Sequence, residues 1–527
     1  MGEVRKLQKK LRQIENLEIR VSLTPEERVK VSKKAELRSR LAELLLQLSG
    51  PQQSQCTVGN GEEPMKRHVE GGVAAGAAQS PAPKLTRACP DGEERRERPD
   101  PPRPEPDNTP PTAPPDPQTG QQETDLQSLK ASWEAAKFRL RRLEGHSDII
   151  TCVVAVDNLV ISGSRDTTVK VWHVPTATEQ KNLGGHSGGV TCLCAPPPEH
   201  CRRLAHAVGV NERERLVISG SSDCTVRVWA LTSGHCVKSV YTFNAVNALC
   251  FSPEGDGYII TGSDAGKLQV WNWLSLDNCQ SINAHQDAIT TLQSQGPLLF
   301  CGSVEGGLSV WEVGHSRTEP LRRLNQWGAE VTGCGCGHGR LDLSPRGDRV
   351  FLACGRASIR ILHWSTGTLT RLTNHSSVAG VTDCVNQTSG LLIGSCFDLS
   401  NGESTLNLFA LPQCKYLVSI TAPESSRVLC FTAWLTASGG HRWVTGGRDL
   451  IVWEQLQGKT KQKGDVIVRR DRRLDDALME SDDDDEEEEE EEEESDVEVE
   501  DEDEDNISQN AETEESMRSS WLRCILQ

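Results

Sequence analysis

The sequence predicts an all-β domain of seven repeated antiparallel units, preceded by an α-helical hairpin and flanked by stretches that do not fold. Three observations carry this. A block of strand, tight turn and Trp-ended strand recurs along the chain, turn residues punctuate it at regular intervals, and the composition changes abruptly on either side.

The repeat is clearest from Gly145 to Trp172, GHSDIITCVVAVDNLVISGSRDTTVKVW. Ile150 to Val156 and Leu159 to Ser162 have strand patterns. A Ser-Arg-Asp turn then leads into Val169, Val171 and Trp172, which alternate with polar neighbours. A meander this short cannot bury both faces alone and needs neighbours stacked on it. ISGSRDTTVKVW (161–172) returns as ISGSSDCTVRVW (218–229), ITGSDAGKLQVW (260–271) and FCGSVEGGLSVW (300–311). Weaker copies end at Trp364, Phe409 and Trp453. The preceding Gly-His pair recurs as Gly185-His186, with Ala284-His285 a close variant. The strand-ending positions are spaced 57, 42, 40, 53, 45 and 44 residues apart, near the 40–45 of one four-stranded propeller blade.

Over residues 138–456 the chain resembles the WD40 family, because four copies share strand, turn and Trp in register. The resemblance implies a seven-bladed β-propeller. The Trp-Asp dipeptide that names the family is missing: Trp172 precedes His173, Trp229 precedes Ala230 and Trp311 precedes Glu312. Little strand-forming sequence follows Trp453, while Phe138 to Leu143 alternates like a strand and has no blade of its own. In such propellers an N-terminal strand of this kind completes the last blade and removes the exposed edges. The insertion PPPEHCRRLAHAVGVNERE (196–214) starts with three prolines, so a loop is expected, on the face opposite the Gly-His turns.

His146, Ser162 and Asp166 have the residue types of a hydrolase triad, and so do His186, Ser219 and Asp223. A catalytic set occurs once, in one cleft; a set that recurs beside Trp172 and again beside Trp229 is architecture. The resemblance implies a hydrogen-bonded network of those four residue types within each blade. Cys334, Cys336 and His338, like Cys192, Cys194, His200 and Cys201, lack the paired spacing of structural zinc, so no metal and no cofactor are expected. There is no phosphate-binding glycine loop or kinase signature, and the reading is not an enzyme. Cysteines scattered through strand patterns, with no signal peptide and no membrane-length apolar run, indicate an intracellular protein of nucleus or cytoplasm with reduced thiols.

The flanks divide the remainder. In 1–48, Val4, Leu7, Leu11, Ile14, Leu17 and Val21 form one helical stripe, and Thr24-Pro25-Glu26-Glu27 opens a second helix as a capping box. Its stripe is Val29, Leu37, Leu41, Leu44, Leu45 and Leu48. The pair reads as an antiparallel hairpin or coiled coil whose stripes cover each other. It also resembles helical hairpins of translation- and RNA-associated proteins. Residues 49–122 form a proline-rich linker, with ten prolines among 99–117 and PxxP spacings that arise freely in so rich a run. A short helix is expected over 123–137.

Residues 457–527 read as a disordered tail. It holds a basic run (459–473) and a polyacidic run (480–505) that has 22 acidic side chains. The rest of the chain carries 57 basic against 54 acidic residues, so the net −19 belongs to that tail, which suits basic protein partners. Ser481 and Ser495 precede acidic residues in the pattern acid-directed kinases favour. Cys524-Ile525-Leu526-Gln527 fits a prenylation signal, although the acidic segment upstream disfavours membranes.

The expected function is a protein-interaction scaffold, with a nuclear or ribonucleoprotein-assembly role suggested by the tails. The partner face is expected at Asp148, Arg165, Ser222, Asp287, Glu305 and Arg448, beside the structural network. Alternatives are a ubiquitin-ligase substrate receptor, which the missing Trp-Asp-x-Arg motif disfavours, and direct RNA binding, for which three Tyr and eight Phe offer few stacking platforms.

Overall fold

The computed structural model describes residues 2–18, 24–49, 117–334, 340–376, 379–422, 425–456, 466–475 and 478–480. Residues 50–116 of the linker with its PxxP spacings, Cys336, His338, residues 459–465, the run from Ser481 onward, Ser495 and Cys524 lie outside the described residues, whereas residues 117–122, expected as linker, are helical.

Seven antiparallel sheets follow one another along the chain, over residues 150–183, 190–241, 246–283, 289–327, 340–373, 380–421 and 430–455. These are blades one to seven of a β-propeller. Each blade buries one face against the next, so the apolar clusters straddle blades. Val169, Val171 and Leu183 of blade one, for example, pack with Val190, Val217 and Trp229 of blade two. The innermost strands are joined around the central channel by side chains that reach the next blade's backbone. Thr151 Oγ1 donates to the Val190 carbonyl at 2.5 Å, and Thr191 Oγ1 donates to that of Val246. Arg340, on the inner strand of blade five, crosses to blade one and donates to the Thr151 carbonyl at 2.9 Å.

The ring closes as the orphan strand requires. Phe138–Arg142 pairs antiparallel with Leu450–Gln455, completing blade seven with five residue pairs from Phe138↔Gln455 to Arg142↔Ile451. Glu454 faces Arg139 and Arg141 across that seam and Arg442 on its other flank. Helix α4, expected over 123–137, spans Pro117–Glu134 and ends in Trp133, which is buried and stacks on Phe138 and Trp443 at centroid distances of 6.4 and 6.1 Å.

Four expectations are corrected. The N-terminal segment forms three helices, α1 (Gly2–Glu18), α2 (Pro25–Ser32) and α3 (Lys34–Ser49), and its stripe does not simply cover itself. Val4, Leu7 and Leu11, with Leu41 of α3, pack against Ala379, Val381, Phe397 and Leu399 of blade six. The stripe is thus shared between α3 and an apolar surface of blade six. The capping box at Thr24 and Glu27 forms as expected, but Val29 is 56% exposed.

The insertion in blade two is a helix, α5 (Pro198–Val208), rather than a loop. Pro198 opens it, at a position whose missing N–H costs nothing, and Gly209 caps it in the left-handed conformation. Cys201, Leu204 and Ala205 bury its inner face, and Trp273 Nε1 donates to the His200 carbonyl at 2.9 Å.

Part of the tail is folded. Residues Ile467–Arg469 add a fifth strand to blade six beside Lys415–Thr421, and Leu478–Glu480 add one to blade five beside Thr368–Thr373. Between them Leu474 is buried against blades five and six, and Asp475 pairs with Lys130 of α4 at 2.5 Å. Strands with an open outer edge invite such pairing. Finally, Cys334 and Cys354 form a disulfide, with Cα atoms 5.4 Å apart, where free thiols were expected. The close approach of residue 334 to the end of blade five's second strand brings them together.

Candidate functional site

The His-Ser-Asp sets are assembled, and their geometry tells against catalysis. In blade one, His146 Nδ1 donates to Asp166 Oδ2 at 2.8 Å and Ser162 Oγ lies 2.7 Å from His146 Nε2. Ser162 Oγ accepts from Trp172 Nε1 at 2.8 Å. Blade two repeats this with His186, Asp223, Ser219 and Trp229, at 2.8, 2.7 and 2.8 Å. Both serines are completely buried, so neither hydroxyl can meet a substrate. Burial alone would raise the pKa of Asp166 and Asp223. Hydrogen bonds from Thr168, the Ser147 amide and His146, and from Thr225, His186 and the Ser187 amide, outweigh it and bring both to about 2. Burial pushes His146 and His186 below the usual histidine range, despite the carboxylates, so both rings are neutral at pH 7.

Other blades keep fragments of this set. In blade four, Cys301 occupies the serine's position, and Ser309 of the adjacent strand takes its place: it lies 2.8 Å from His285 Nε2 and accepts from Trp311 Nε1 at 2.9 Å. In blades three and seven the indole of Trp271 or Trp453 donates to a threonine, Thr261 at 3.2 Å or Thr445 at 3.0 Å. Blade six has an amide network instead. Asn374 donates to Thr382 at 2.9 Å and Ser419 donates to Asn407 at 2.6 Å. Tyr416, 2.7 Å from Ser419, accepts from the Asp471 amide at 3.0 Å and so anchors the folded tail.

Cysteines at the innermost strands are inert. Burial pushes Cys152 up to about 11, and Cys192 and Cys384 up to about 12. Cys192 and Cys201 lie in the apolar core of blades two and three, and the His200 ring packs edge-on against Phe251 at 5.1 Å. Among the described residues no group of His, Cys, Asp and Glu could hold a metal ion.

The three sequence matches to the family described as "WD domain, G-beta repeat" cover residues 137–173, 177–230 and 234–272. Each match ends on the third strand of a blade and, with the closing strand or the previous blade's outer strand at its start, is offset by one strand from the structural unit. Residues 137–272 carry three WD40 repeats. Its relatives include the small ribosomal subunit protein RACK1y of Oryza sativa subsp. japonica, 29% identical over 32% of this chain and 49% of that protein. Protein ROOT INITIATION DEFECTIVE 3 of Arabidopsis thaliana is 26% identical over 35% of this chain and 45% of its own length. Nuclear distribution protein nudF of Aspergillus niger is 27% identical over 28% and 40%. The chain thus spans about half the length of these relatives, or less.

On this WD40 propeller the six face residues sit on the loops that enter each blade and on the turns between its second and third strands. Asp148, Ser222, Asp287, Glu305 and Arg448 are exposed and Arg165 is half-buried, with Arg165 Nε 3.7 Å from Asp148 Oδ2. Backbone bonds tie these turns together. The Arg165 amide donates to Ile149 O, the Ser222 amide to Gly189 O and the Val304 amide to Ala288 O, all at 2.9–3.0 Å. Ile150 of blade one donates to Gly447, beside Arg448 of blade seven, at 2.8 Å. Asp148, Arg165, Ser222 and Arg448 therefore form one group, and Asp287 and Glu305 a second, two blades further on. Sequence reasoning missed Arg340, whose role as a bridge across the channel has no local pattern.

Proposed function

We propose that this protein is a non-catalytic interaction scaffold of the nucleus or cytoplasm. It would use the propeller face that carries Asp148, Arg165, Ser222, Asp287, Glu305 and Arg448 to bind other proteins. The observation that carries the proposal is the sealing of the polar networks. The His, Ser and Asp of the sets in blades one and two are spent on holding turns, and what the turns offer outward is an arc of charged and polar side chains. Rigid turns of fixed spacing suit recognition because little entropy is lost on binding.

The relatives support a scaffold role by their names alone, one being a ribosomal subunit protein and another a nuclear distribution protein. An assembly role in nuclear or ribonucleoprotein complexes accords with the polyacidic run, which would attract basic proteins. The apolar stripe of α1 is occupied by blade six, so a partner of the N-terminal helices would meet their outer, charged surface. Proximity labelling in cells tests the proposal, comparing intact protein, an Arg165→Ala/Arg448→Ala variant and a variant ending at residue 481. Loss of a common set of neighbours from the face variant is the expected result. Identical neighbours in all three would refute it.

A further inference from the structure

The entry loop of blade three departs from those of blades one, two and four in a way that the fold does not require. In blades one, two and four the residue four before the inner strand is His146, His186 or His285, and the residue after it is exposed and polar: Ser147, Ser187 or Gln286. In blade three these two positions hold Thr242 and Phe243, and the position before them, Gly145, Gly185 or Ala284 in those three blades, holds Tyr241. Thr242 is buried and fixed by its hydroxyl, 2.9 Å from the Cys224 carbonyl. Phe243 projects with 76% of its surface exposed and Tyr241 with 54%; their rings meet edge to face at 5.2 Å.

Phe243 also has φ of +69°, a left-handed conformation that an aromatic residue adopts at a cost. A water-facing ring in a strained backbone lowers the stability of the isolated propeller, and large exposed aromatics are the anchors of protein interfaces. The surroundings set the partner's charge. The Asp264 amide bonds Ala245 O at 3.2 Å, His285 bonds Gly266 O at 3.2 Å and Val304 bonds Ala288 O at 2.9 Å. The loop of Phe243 is thereby continuous with the turns presenting Asp264, Asp287 and Glu305, all exposed. Lys267 lies half-buried at the root of the first of these turns.

We propose that Tyr241 and Phe243 form an aromatic anchor site on the entry-loop face, and that it takes a basic peptide segment whose aromatic or aliphatic side chain packs on the ring pair while its Lys or Arg residues reach Asp264, Asp287 and Glu305. This rests on the propeller face being the partner surface and assigns the chemistry of one sector of it.

Phe243→Gly separates the site from the fold, because glycine adopts this φ freely and the ring has little contact to lose. The full chain is panned against a displayed random peptide library. A peptide synthesised from the enriched consensus is then titrated by fluorescence anisotropy. The expected consensus has Lys or Arg flanking an aromatic residue or Leu. Binding should weaken at least tenfold in Phe243→Gly and in Asp287→Asn/Glu305→Gln, while the melting temperature of Phe243→Gly is unchanged or higher.

A consensus without basic residues, or one indifferent to Phe243→Gly but lost in Arg165→Ala/Arg448→Ala, overturns this inference and leaves the scaffold reading standing. No enriched peptide, or binding insensitive to all of these variants, overturns both. Self-association of the wild type in sedimentation that Phe243→Gly abolishes would assign the anchor to a second copy of the chain and overturn the basic-peptide partner.

Discussion

Replacing Asp166 by Ala tests whether the blade-one network is structural. The carboxylate accepts from four donors: His146 Nδ1 at 2.8 Å, the Ser147 amide at 2.9 Å, the Thr168 amide at 3.0 Å and Thr168 Oγ1 at 2.6 Å. The His146 side chain is only 3% exposed, so its N–H would be left with only Thr168 Oγ1, 3.3 Å away, at a cost of about 1–3 kcal/mol. Ser147 is exposed and recovers water, whereas half-buried Thr168 recovers it in part and adds about 1 kcal/mol. The total is about 3 kcal/mol. Thr261→Val in blade three strands the buried Trp271 N–H, loses a long bond to the Gln269 carbonyl at 3.4 Å and should cost about 2 kcal/mol. Urea unfolding followed by tryptophan fluorescence would compare the two variants. An Asp166→Ala loss no larger than that of Thr261→Val would refute the account of the network as a support for the turn.

The pH dependence follows from the same groups. His146 and His186 titrate below the usual value of about 6.5 when folded, so the unfolded chain binds protons first. Stability present above that pH declines as pH falls through it. Asp166 and Asp223 add a second decline between the ordinary value of 3.8 and about 2, measurable as acid-induced loss of ellipticity. Deleting residues 136–144 removes the fourth strand of blade seven and the buried Phe138, and should abolish the cooperative melt; an unchanged melting curve would show that the ring does not need this strand. Leu11→Asp should release α1 and raise hydrogen exchange in 379–381 while leaving blades one to four protected. Leu474→Asp should do the same for 467–469 by detaching the folded tail.

How far the sequence could be read depended on whether the signal was local. Trp172, Trp229, Trp271 and Trp311 each close a strand-turn-strand block, so period and register were visible residue by residue, and an unclaimed strand at Phe138 pointed to the closure. The network in blades one and two was legible because its four residue types recur at fixed offsets. Blade four hid its version by moving the serine from position 301 to Ser309 on the next strand, where it reaches the same space. The helix after Pro196-Pro197-Pro198 was hidden because prolines mark a loop and a helix start alike.

The docking of α1, the added strands of residues 467–480 and the Arg340 bridge join residues tens to hundreds of positions apart. No periodicity records such pairings. Phe243 was overlooked for another reason: a single aromatic in a loop gains meaning only beside the polar residues that occupy its position in other blades.

The added strands set the order in which the molecule would yield to a pull from beyond residue 480. Tension first meets the three pairs that join Leu478–Glu480 to blade five, then the three that join Ile467–Arg469 to blade six. Only after both have unzipped does load reach Leu450–Gln455 and the five-pair seam that keeps the ring shut. The folded tail therefore shields the closing seam: a pull on its C-terminal end would load the two outer strands, and the buried Leu474 between them, before it reached the ring.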